Sequence, residues 1–390
     1  MKRLKRLSLF IIALIIMLNI TVPFQVQASN EVTRIRVYSF YVGKGDCYII
    51  QLIVDNGVSE YVLVDTGQNN KTEITNFIKS KNIKKFKYVI LTHYDKDHSY
   101  QLKNILENVE VGNYLIRRYS SDIVAALKEY KDTYDYGLYT HYTNVENVIK
   151  VKEGNLNKVV SPRKSANTVF DIGNNIEIRF LNKYASYFTD LISEEPADTT
   201  TAKNVSTFKN KLGLASNNDS LVFTIRTKNG AGMEAMVFNG DVRPEAMLDY
   251  NGDANFKKYA NEAGFFTFPH HGLVNQRSGK NDDPDKYGSV RDEYISSFGA
   301  TDKSAITFVS CPNNAEILAS TGNTDSSGNL IGDIYTYFDA IRMRNLTEAY
   351  IRTSTLNGYS GQTALKYTVN VSTGDLAVRT YPDNIDLYVP

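Results

Sequence analysis

Cysteine and proline are both scarce in this chain of 390 residues, which carries two cysteines and nine prolines. Two cysteines cannot build the disulfide framework of a small secreted fold, and so few prolines beside 24 glycines exclude a collagen-like or wholly disordered chain. Cys47 and Cys311 lie in or just after apolar strand-like runs, which predicts two small buried residues and leaves open whether they pair. With 42% hydrophobic residues, the chain can build a sizeable core without cross-links.

Long apolar runs are absent after the N-terminal segment, so the rest of the sequence offers no stretch that could span a bilayer. The N-terminus has a basic start, an apolar run over 9–20, and the small residues Val26 and Ala28 at the spacing that a signal peptidase reads. We therefore expect residues 1–28 to be a signal peptide and the mature chain, beginning near Ser29, to be secreted. A retained N-terminal membrane anchor is the alternative, but this run is shorter than the ~20 residues that cross a membrane.

A basic excess is also missing. Residues 1–28 hold 4 of the 44 basic residues and no acidic ones, so the mature chain has 40 basic against 43 acidic residues and a net charge of −3. Proteins that bind nucleic acids without strong sequence preference usually carry a positive surplus. The charge therefore leaves a nucleic acid as an open but unsupported partner.

Alternating apolar patterns predict an α/β fold. Three strand-like runs between 35 and 64 are separated by turn residues, a helix follows, and a fourth strand over 88–91 leads directly into a polar cluster. The segment 193–217 is rich in Asp, Thr, Lys and Asn, which predicts a loop or mobile insertion. We expect a single domain over 33–380 with an insertion around 115–216.

Four potential metal ligands stand within six residues directly after the fourth strand. The run His93-Tyr94-Asp95-Lys96-Asp97-His98 supplies two imidazoles and two carboxylates, the donor mixture that suits Zn²⁺ or another divalent transition metal. A regular helix or strand would scatter these side chains, whereas an irregular loop can converge them on one point. A charged surface loop has the same composition, so this motif alone does not decide between the two.

Three further strand-like runs end in ligand-type residues beside a glycine. They are Asp65-Thr66-Gly67, Asn239-Gly240-Asp241 and Pro269-His270-His271-Gly272. Glycine lets two backbones approach closely, and the sites of α/β folds gather at strand ends. Four strand ends that each terminate in Asp or His favour one shared metal site over unrelated polar residues on the surface.

Taken in order, these motifs resemble those of the metallo-β-lactamase superfamily, in particular the hydrolase-like domain of ComEC-type DNA-uptake proteins. The turn at 41–46 is similar to that group's DVGQGD, 65–67 to its DTG, 93–98 to its H-x-D-x-D-H, 217–222 with 240–241 to its NNxSLV…GD, and 270–273 to its HHGS. The resemblance extends from about Ile35 to Leu273, and we expect the same domain to continue to about Gly374. It implies a four-layer αββα metallo-β-lactamase fold.

The resemblance also implies a ligand set. His93 and Asp95 would bind one ion, Asp97 and His98 would bind a second, and Asp241 would bridge the two. The cofactor would be one or two Zn²⁺ ions, with Mn²⁺ as the alternative.

A histidine of the 270/271 pair would complete the second site. His271 is favoured because the ligand of the superfamily usually stands just before a glycine, which leaves His270 as a substrate contact or general acid. His270 and Asp97 are the candidate catalytic residues. Asp65 would hold the ligand loop through hydrogen bonds, as metal ligands usually require.

Two departures from the family pattern bear on this ligand set. Asp95 replaces the second histidine of the commoner signature, which weakens the case for zinc over manganese. No histidine aligns with the ligand that many relatives place between the signature loop and the bridging aspartate. Asn218 is a candidate weak ligand or substrate clamp at this point, and His141, the remaining imidazole, is expected to lie outside the cluster.

The activity that the resemblance implies is metal-assisted hydrolysis of a phosphodiester, with a metal-activated water as nucleophile. A β-lactam, another small molecule or a cell-envelope ester is the alternative substrate. The rival class is a non-catalytic secreted binding protein that kept the fold without its metals, and Asp95 and the absent middle histidine support it. A surface adhesin, suggested by the 27 tyrosines, is disfavoured because they do not repeat.

Overall fold

The structure is a computed structural model. It describes residues 31–42, 45–55, 57–68, 71–134, 136–162, 169–182, 187–192, 202–272, 290, 293–294, 297–298, 306–309, 349–352, 362, 364–383 and 386–388.

A nine-stranded mixed sheet forms the first β layer. Its strands are β1 (Val32–Phe40), β2 (Tyr48–Val54), β3 (Ser59–Val64), β4 (Lys85–Leu91), β5 (Glu110–Ile116), β6 (Val159–Val160), β14 (Ala364–Asn370), β15 (Leu376–Tyr381) and β16 (Asp386–Tyr388). The spatial order is β16-β15-β14-β1-β2-β3-β4-β5-β6. Pairing is parallel from β3 to β6 and antiparallel in the rest of the sheet.

A seven-stranded sheet forms the second β layer. Its strands are β7 (Val169–Asp171), β8 (Ile176–Phe180), β9 (Phe223–Thr227), β10 (Ala235–Phe238), β11 (Ala263–Thr267), β12 (Ile306–Val309) and β13 (Ala349–Arg352), in the spatial order β13-β12-β11-β10-β9-β8-β7. The strands β10 to β13 run parallel, whereas β7 to β10 are joined by antiparallel pairs. The strands β9 and β10 form an antiparallel hairpin.

Helices cover the outer faces of the two sheets. They are α1 (Lys71–Ser80), α2 (Lys96–Ser99), α3 (Leu102–Leu106), α4 (Ser121–Tyr134), α5 (Leu138–Glu153), α6 (Phe188–Leu191), α7 (Ala202–Asn218), α8 (Pro244–Asn251) and α9 (Ala254–Asn261), with a 3₁₀ turn at Pro269–Gly272. In the part of the chain that the structure describes, every helix is too short or too polar to cross a membrane.

Three buried apolar clusters follow from the two-residue period of the strands. In β1, Val37 points into the cluster between the sheets, where it joins Phe223 and Phe238 of the second sheet. Its neighbour Tyr38 points the other way, into a cluster with α1, α4 and α5. A third cluster packs Val237, Ala263 and Phe266 of the second sheet against α8 and α9. The layers are therefore α, β, β and α, as the resemblance implied.

The loop prediction for 193–217 is wrong over most of its length. Residues 202–218 form α7, a helix of 17 residues. Three buried side chains at helical spacing, Phe208, Leu212 and Ala215, anchor it to the first apolar cluster. Tertiary packing of this narrow stripe outweighs the weak helix propensity of the polar residues around it.

Two other predictions fall partly outside the described residues. Cys47 is buried, but Cys311 lies outside the described residues, and the question of their pairing stays open. The proposed signal peptide, 1–28, also lies outside them.

Candidate metal centre

The candidate site is formed where strand ends of both sheets meet. In the first sheet, β3 and β4 are parallel neighbours, so Asp65 and His93, which follow them, emerge side by side. In the second sheet the parallel neighbours β10 and β11 deliver Asp241 and His270 in the same way. A backbone hydrogen bond from Leu221 to the carbonyl of Thr92, 2.7 Å long, joins the two groups of segments.

His93, His98 and Asp241 form the centre of the site. One donor atom from each lies within 4.8 Å of the others, and all three residues are buried. The distance from His98 Nε2 to Asp241 Oδ1 is 3.1 Å, and that from His93 Nε2 to Asp241 Oδ2 is 3.8 Å. Two imidazoles and one carboxylate are therefore gathered as the sequence motifs indicated.

Asp65 lies behind this cluster, fully buried, and fixes the protonation of both imidazoles. Its Oδ2 accepts from His98 Nδ1 at 2.8 Å and from the Thr92 hydroxyl at 2.7 Å, while Oδ1 accepts from the Thr92 amide at 2.8 Å. Because an ionised carboxylate only accepts, His98 carries its proton on Nδ1. The Thr92 hydroxyl, having donated to Asp65, can accept from His93 Nδ1 at 3.1 Å. The Nε2 atoms of both imidazoles face Asp241.

Asp95 approaches His93 from the other side. Its Oδ2 lies 3.8 Å from His93 Nε2, and its Oδ1 accepts a 2.5 Å hydrogen bond from the Ser216 hydroxyl. Ser216 is itself hydrogen-bonded to Tyr136. One carboxylate oxygen is thus held by the end of α7 while the other is presented to the site.

His270 lies at the edge of the cluster, with Nε2 3.9 Å from Asp241 Oδ2 and 3.3 Å from Asn217 Nδ2. Its backbone is left-handed, with φ of 50°, and its amide donates to the carbonyl of Gly240 at 3.0 Å. For His271 the structure describes only the backbone, in the 3₁₀ turn, so its ligand role stays a prediction.

The remaining predicted residues have other surroundings. Among the described residues, two groups of ligand-type side chains converge: His93, His98 and Asp241, and Asp46, Asp65 and His98. Asp97, in the first turn of α2, belongs to neither group. Asn218 is occupied on both sides: its Oδ1 accepts from the amide of Arg243 at 3.1 Å, and its Nδ2 donates to Glu245 at 3.4 Å. The metal-ligand and catalytic roles proposed for Asp97, and the ligand or clamp role of Asn218, stay predictions.

His141 lies on α5 outside the His93–His98–Asp241 group, as expected. Burial lowers its pKa, and the carboxylates of Asp95 and Asp97 oppose this shift. His141 is therefore near the signature loop, although it is not one of the converging donors.

The pKa of His98 is shifted by the charges around it. Burial alone would lower the pKa of this imidazole, but the carboxylates of Asp241 and Asp65 outweigh it and raise the pKa well above its usual value. Without a bound cation, a proton on His98 offsets part of the negative charge of the two carboxylates.

One buried atom tests whether these residues fit a metal ion. Among the described residues, His93 Nε2 is buried and has no hydrogen-bond partner, although carboxylate oxygens of Asp95 and Asp241 flank it at 3.8 Å. Leaving a buried polar nitrogen unpaired is costly. Nitrogen and oxygen donors around such an atom are the set that binds Zn²⁺ or Mn²⁺, so the residues fit the ion.

Two glycines allow the close approaches that the site needs. A Cβ on Gly45 would lie 2.1 Å from the carbonyl oxygen of Asp97, and one on Gly240, where φ is 54°, would lie 2.9 Å from Thr92 Cβ. The turn at 45–46 can therefore pack closely against α2, which carries Asp97, and Asp241 can lie close to His93.

Three contributors were not identified from the sequence: Thr92, Ser216 and Asn217. The last two stand at the end of α7, in the segment read as a loop. The spacing of Phe208, Leu212 and Ala215 is the signal that would have revealed the helix and the position of its end.

Comparisons with known proteins agree with this architecture. Residues 41–166 match the family model of the metallo-beta-lactamase superfamily. A search of curated proteins finds no match.

Similar solved structures show low sequence identity. A metallo-beta-lactamase superfamily protein of the archaeon Sulfolobus tokodaii is 15% identical over 53% of this chain and 62% of its own, less than two thirds of its length, with a TM-score of 0.26. A diphosphatase from the PhnP family is 9% identical over 77% of this chain and 95% of its own, with a TM-score of 0.34. Unliganded yeast PDE1 is 8% identical over 83% of this chain and 98% of its own, with a TM-score of 0.43.

These TM-scores are too low to support an inference about activity. The match over residues 41–166 and the αββα layering confirm the fold that the motif resemblance implied: the chain has the metallo-beta-lactamase fold.

Proposed function

We propose that this protein is a metal-dependent hydrolase that cleaves a phosphodiester or a related ester, and that it belongs to the ComEC-like branch of its superfamily. The observation that carries the proposal is the buried, unpartnered Nε2 of His93 between two carboxylates. A site built only for stability would satisfy that nitrogen with a hydrogen-bond donor or acceptor.

His93, His98 and Asp241 would hold the ion, with Asp95 as a further oxygen ligand; Asp97 and His271 are proposed to complete a second site. Zn²⁺ is the favoured ion and Mn²⁺ the alternative. When bound, such an ion supplies Lewis acidity, which lowers the pKa of water and stabilises negative charge on a substrate oxygen.

The protein's own side chains would orient the metal ligands and contact the substrate. Asp65 holds a proton of His98 on Nδ1, and a hydrogen bond from Ser216 orients Asp95 next to His93. His270, whose Nε2 lies 3.9 Å from Asp241 Oδ2, is placed to contact the substrate or to donate a proton to the leaving oxygen.

The substrate class rests on the motif resemblance and on charge. A net charge of −3 for the mature chain does not favour a long nucleic acid, because polyanion binding depends on basic contacts. A small phosphodiester is therefore preferred over a polymer, with a β-lactam as the second substrate to test.

The test combines metal analysis with a substrate panel. Purified protein should retain about one or two equivalents of metal after dialysis, and it should hydrolyse bis-(p-nitrophenyl) phosphate with added Zn²⁺ or Mn²⁺. Nitrocefin and single-stranded DNA are the comparison substrates. A protein that keeps well under one equivalent and cleaves none of the three would be the non-catalytic binding protein instead.

We also propose export. The basic, apolar and small-residue pattern of 1–28 predicts that the mature chain begins near Ser29 and is found outside the cytoplasm. Cell fractionation with N-terminal sequencing tests this, and a chain found only full-length in the cytoplasm would overturn it.

A further inference from the structure

The side chain of Asp95 does not take the structural role that its position offers. Asp95 is the N-terminal cap residue of α2, a place where an aspartate usually accepts hydrogen bonds from the first amides of the helix. Its carboxylate makes no such capping bond, while its backbone carbonyl accepts from the amides of His98 and Ser99 at 3.0 and 3.1 Å. The backbone of Asp95 is therefore held by α2, and its carboxylate is directed elsewhere.

Ser216 of α7 holds one oxygen of this carboxylate. Its hydroxyl donates to Asp95 Oδ1 at 2.5 Å, because an ionised carboxylate can only accept. Ser216 is fully buried, and Leu212 and Ala215 anchor the same helix in the first apolar cluster. The packing of α7 therefore fixes the position of this donor.

Tyr136 holds Ser216 in turn. It lies in the short connection between α4 and α5, and its side chain is hydrogen-bonded to that of Ser216. Since the hydrogen of Ser216 is used on Asp95, the Tyr136 hydroxyl is the donor of this second bond. Burial, and then the charge of Asp95, raise the pKa of Tyr136 well above its usual value, so the phenol keeps the hydrogen that it donates.

The other oxygen of Asp95 faces the metal centre. Asp95 Oδ2 lies 3.8 Å from His93 Nε2, the buried nitrogen that has no hydrogen-bond partner among the described residues. The bond from Ser216 uses a lone pair of Oδ1 and fixes the rotation of the carboxylate. Both oxygens therefore cannot turn toward the same ion, and only Oδ2 is offered to it.

The number of oxygens that Asp95 offers bears on which ion binds. Zn²⁺ in proteins is mostly four-coordinate, whereas Mn²⁺ suits sites with six donors that are rich in oxygen. A carboxylate that is free to rotate can give an ion two oxygens, but an imidazole gives one nitrogen. With Oδ1 held by Ser216, Asp95 supplies one donor, as a histidine at its position would.

We propose that Ser216 and Tyr136 are positioning residues that limit Asp95 to one ligand oxygen and thereby strengthen the preference of the His93–His98–Asp241 site for Zn²⁺ over Mn²⁺. The inference rests on the proposed metal site and adds the residues that select its ion. Neither Ser216 nor Tyr136 needs to touch the ion or the substrate.

The test measures ion preference rather than activity. The affinities of the purified protein for Zn²⁺ and for Mn²⁺ are determined by competition with a chelator, with and without the change Ser216→Ala. Loss of a residue that orients a metal ligand lowers metal affinity about 10–100-fold. We expect Ser216→Ala to weaken Zn²⁺ binding about tenfold and Mn²⁺ binding less, because Mn²⁺ can use the released oxygen.

Two gentler changes keep the test independent of folding. Tyr136→Phe removes only the outer hydroxyl, so it should lower the ratio of Zn²⁺ to Mn²⁺ affinity in the same direction but by less. Ser216→Thr keeps the hydroxyl and should restore the ratio. The visible spectrum with one equivalent of Co²⁺ is the second measurement, because four-coordinate Co²⁺ absorbs more strongly than six-coordinate Co²⁺. The absorption should be weaker in Ser216→Ala than in the unmodified protein.

Matched controls remove hydroxyls away from Asp95. Ser80→Ala removes one at the end of α1 that donates to the carbonyl of Phe77 at 2.9 Å, and Tyr142→Phe removes one that donates to Glu146 at 2.8 Å. Neither should change the affinity ratio. An unchanged ratio in Ser216→Ala, including an equal loss of both affinities, would overturn the inference and leave the proposed metal site standing. An unmodified protein that binds neither ion would overturn both.

Discussion

The change Asp65→Asn tests how the site prepares its imidazoles. The asparagine amide keeps one acceptor oxygen and puts an NH₂ group in place of the other. If the NH₂ replaces Oδ2, it meets the proton on His98 Nδ1, which the carboxylate accepts at 2.8 Å. If it replaces Oδ1, it meets the amide of Thr92, also at 2.8 Å. Either orientation places two donors against each other in a fully buried position.

The size of the effect follows from this clash. Leaving one buried donor unsatisfied costs about 1–3 kcal/mol. The imidazole can escape by moving its proton to Nε2, which removes the lone pair that a metal ion needs. Since about 1.4 kcal/mol corresponds to a factor of ten in an equilibrium constant, metal affinity should fall roughly 10–100-fold. This agrees with the ~10–100-fold loss seen for residues that orient metal ligands.

The assay is a competition titration with a chelator at neutral pH, using Zn²⁺ and then Mn²⁺. Asp171→Asn is the matched control, because Asp171 pairs at 2.7 Å with Lys228 at an exposed position, where such pairs contribute little. Thr92→Val should lower affinity by disturbing His93, and Thr92→Ser should recover it because the hydroxyl returns. A metal affinity of Asp65→Asn within threefold of the unmodified protein would refute the reasoning.

Three further predictions concern neighbouring features. Asp241→Asn should abolish metal retention and lower hydrolysis more than 100-fold, beyond the ~10–100-fold of an orienting residue; equal activity to the parent would exclude a metal bridge at this position. Gly240→Ala should destabilise the protein by about 1–3 kcal/mol, because φ is 54° and the new Cβ would lie 2.9 Å from Thr92 Cβ; urea unfolding measures this, and an unchanged midpoint contradicts it. The pKa of Lys366 is lowered to about 8, below its value in the unfolded chain, so the unfolded state binds more protons between about pH 8 and 10.4 and stability should rise over that interval. Lys366→Met should therefore exceed the unmodified protein in stability by a margin that shrinks from pH 7.5 to 9.5, and a constant margin would disprove the link.

Much of the candidate site could be predicted because the ends of short apolar strands can be recognised in the sequence. The runs before Asp65, His93, Asp241 and His270 are rich in β-branched and aromatic residues; the first three stop at a polar residue and the fourth at Pro269. Parallel neighbours then bring those ends together. The donors thus converge although they lie far apart in sequence.

The contribution of α7 could not be predicted in the same way. Its polar composition favours a loop, and only Phe208, Leu212 and Ala215 mark the buried stripe. Hydrogen bonds of Ser216 and Asn217 depend on where the last turn ends, which tertiary packing decides. The same holds for Asn218: its side chain was available for the site by sequence but is used by Arg243 and Glu245.

The division of the donors between the two sheets has a mechanical consequence. His93 and His98 are carried by the nine-stranded sheet, whereas Asp241 follows β10 of the seven-stranded sheet. An ion held by all three residues would link the two sheets, and its binding free energy would add to the stability of their contact. Removing the ion with a chelator should therefore lower the melting temperature of the protein. The size of that decrease measures how much the ion stabilises the contact between the two sheets.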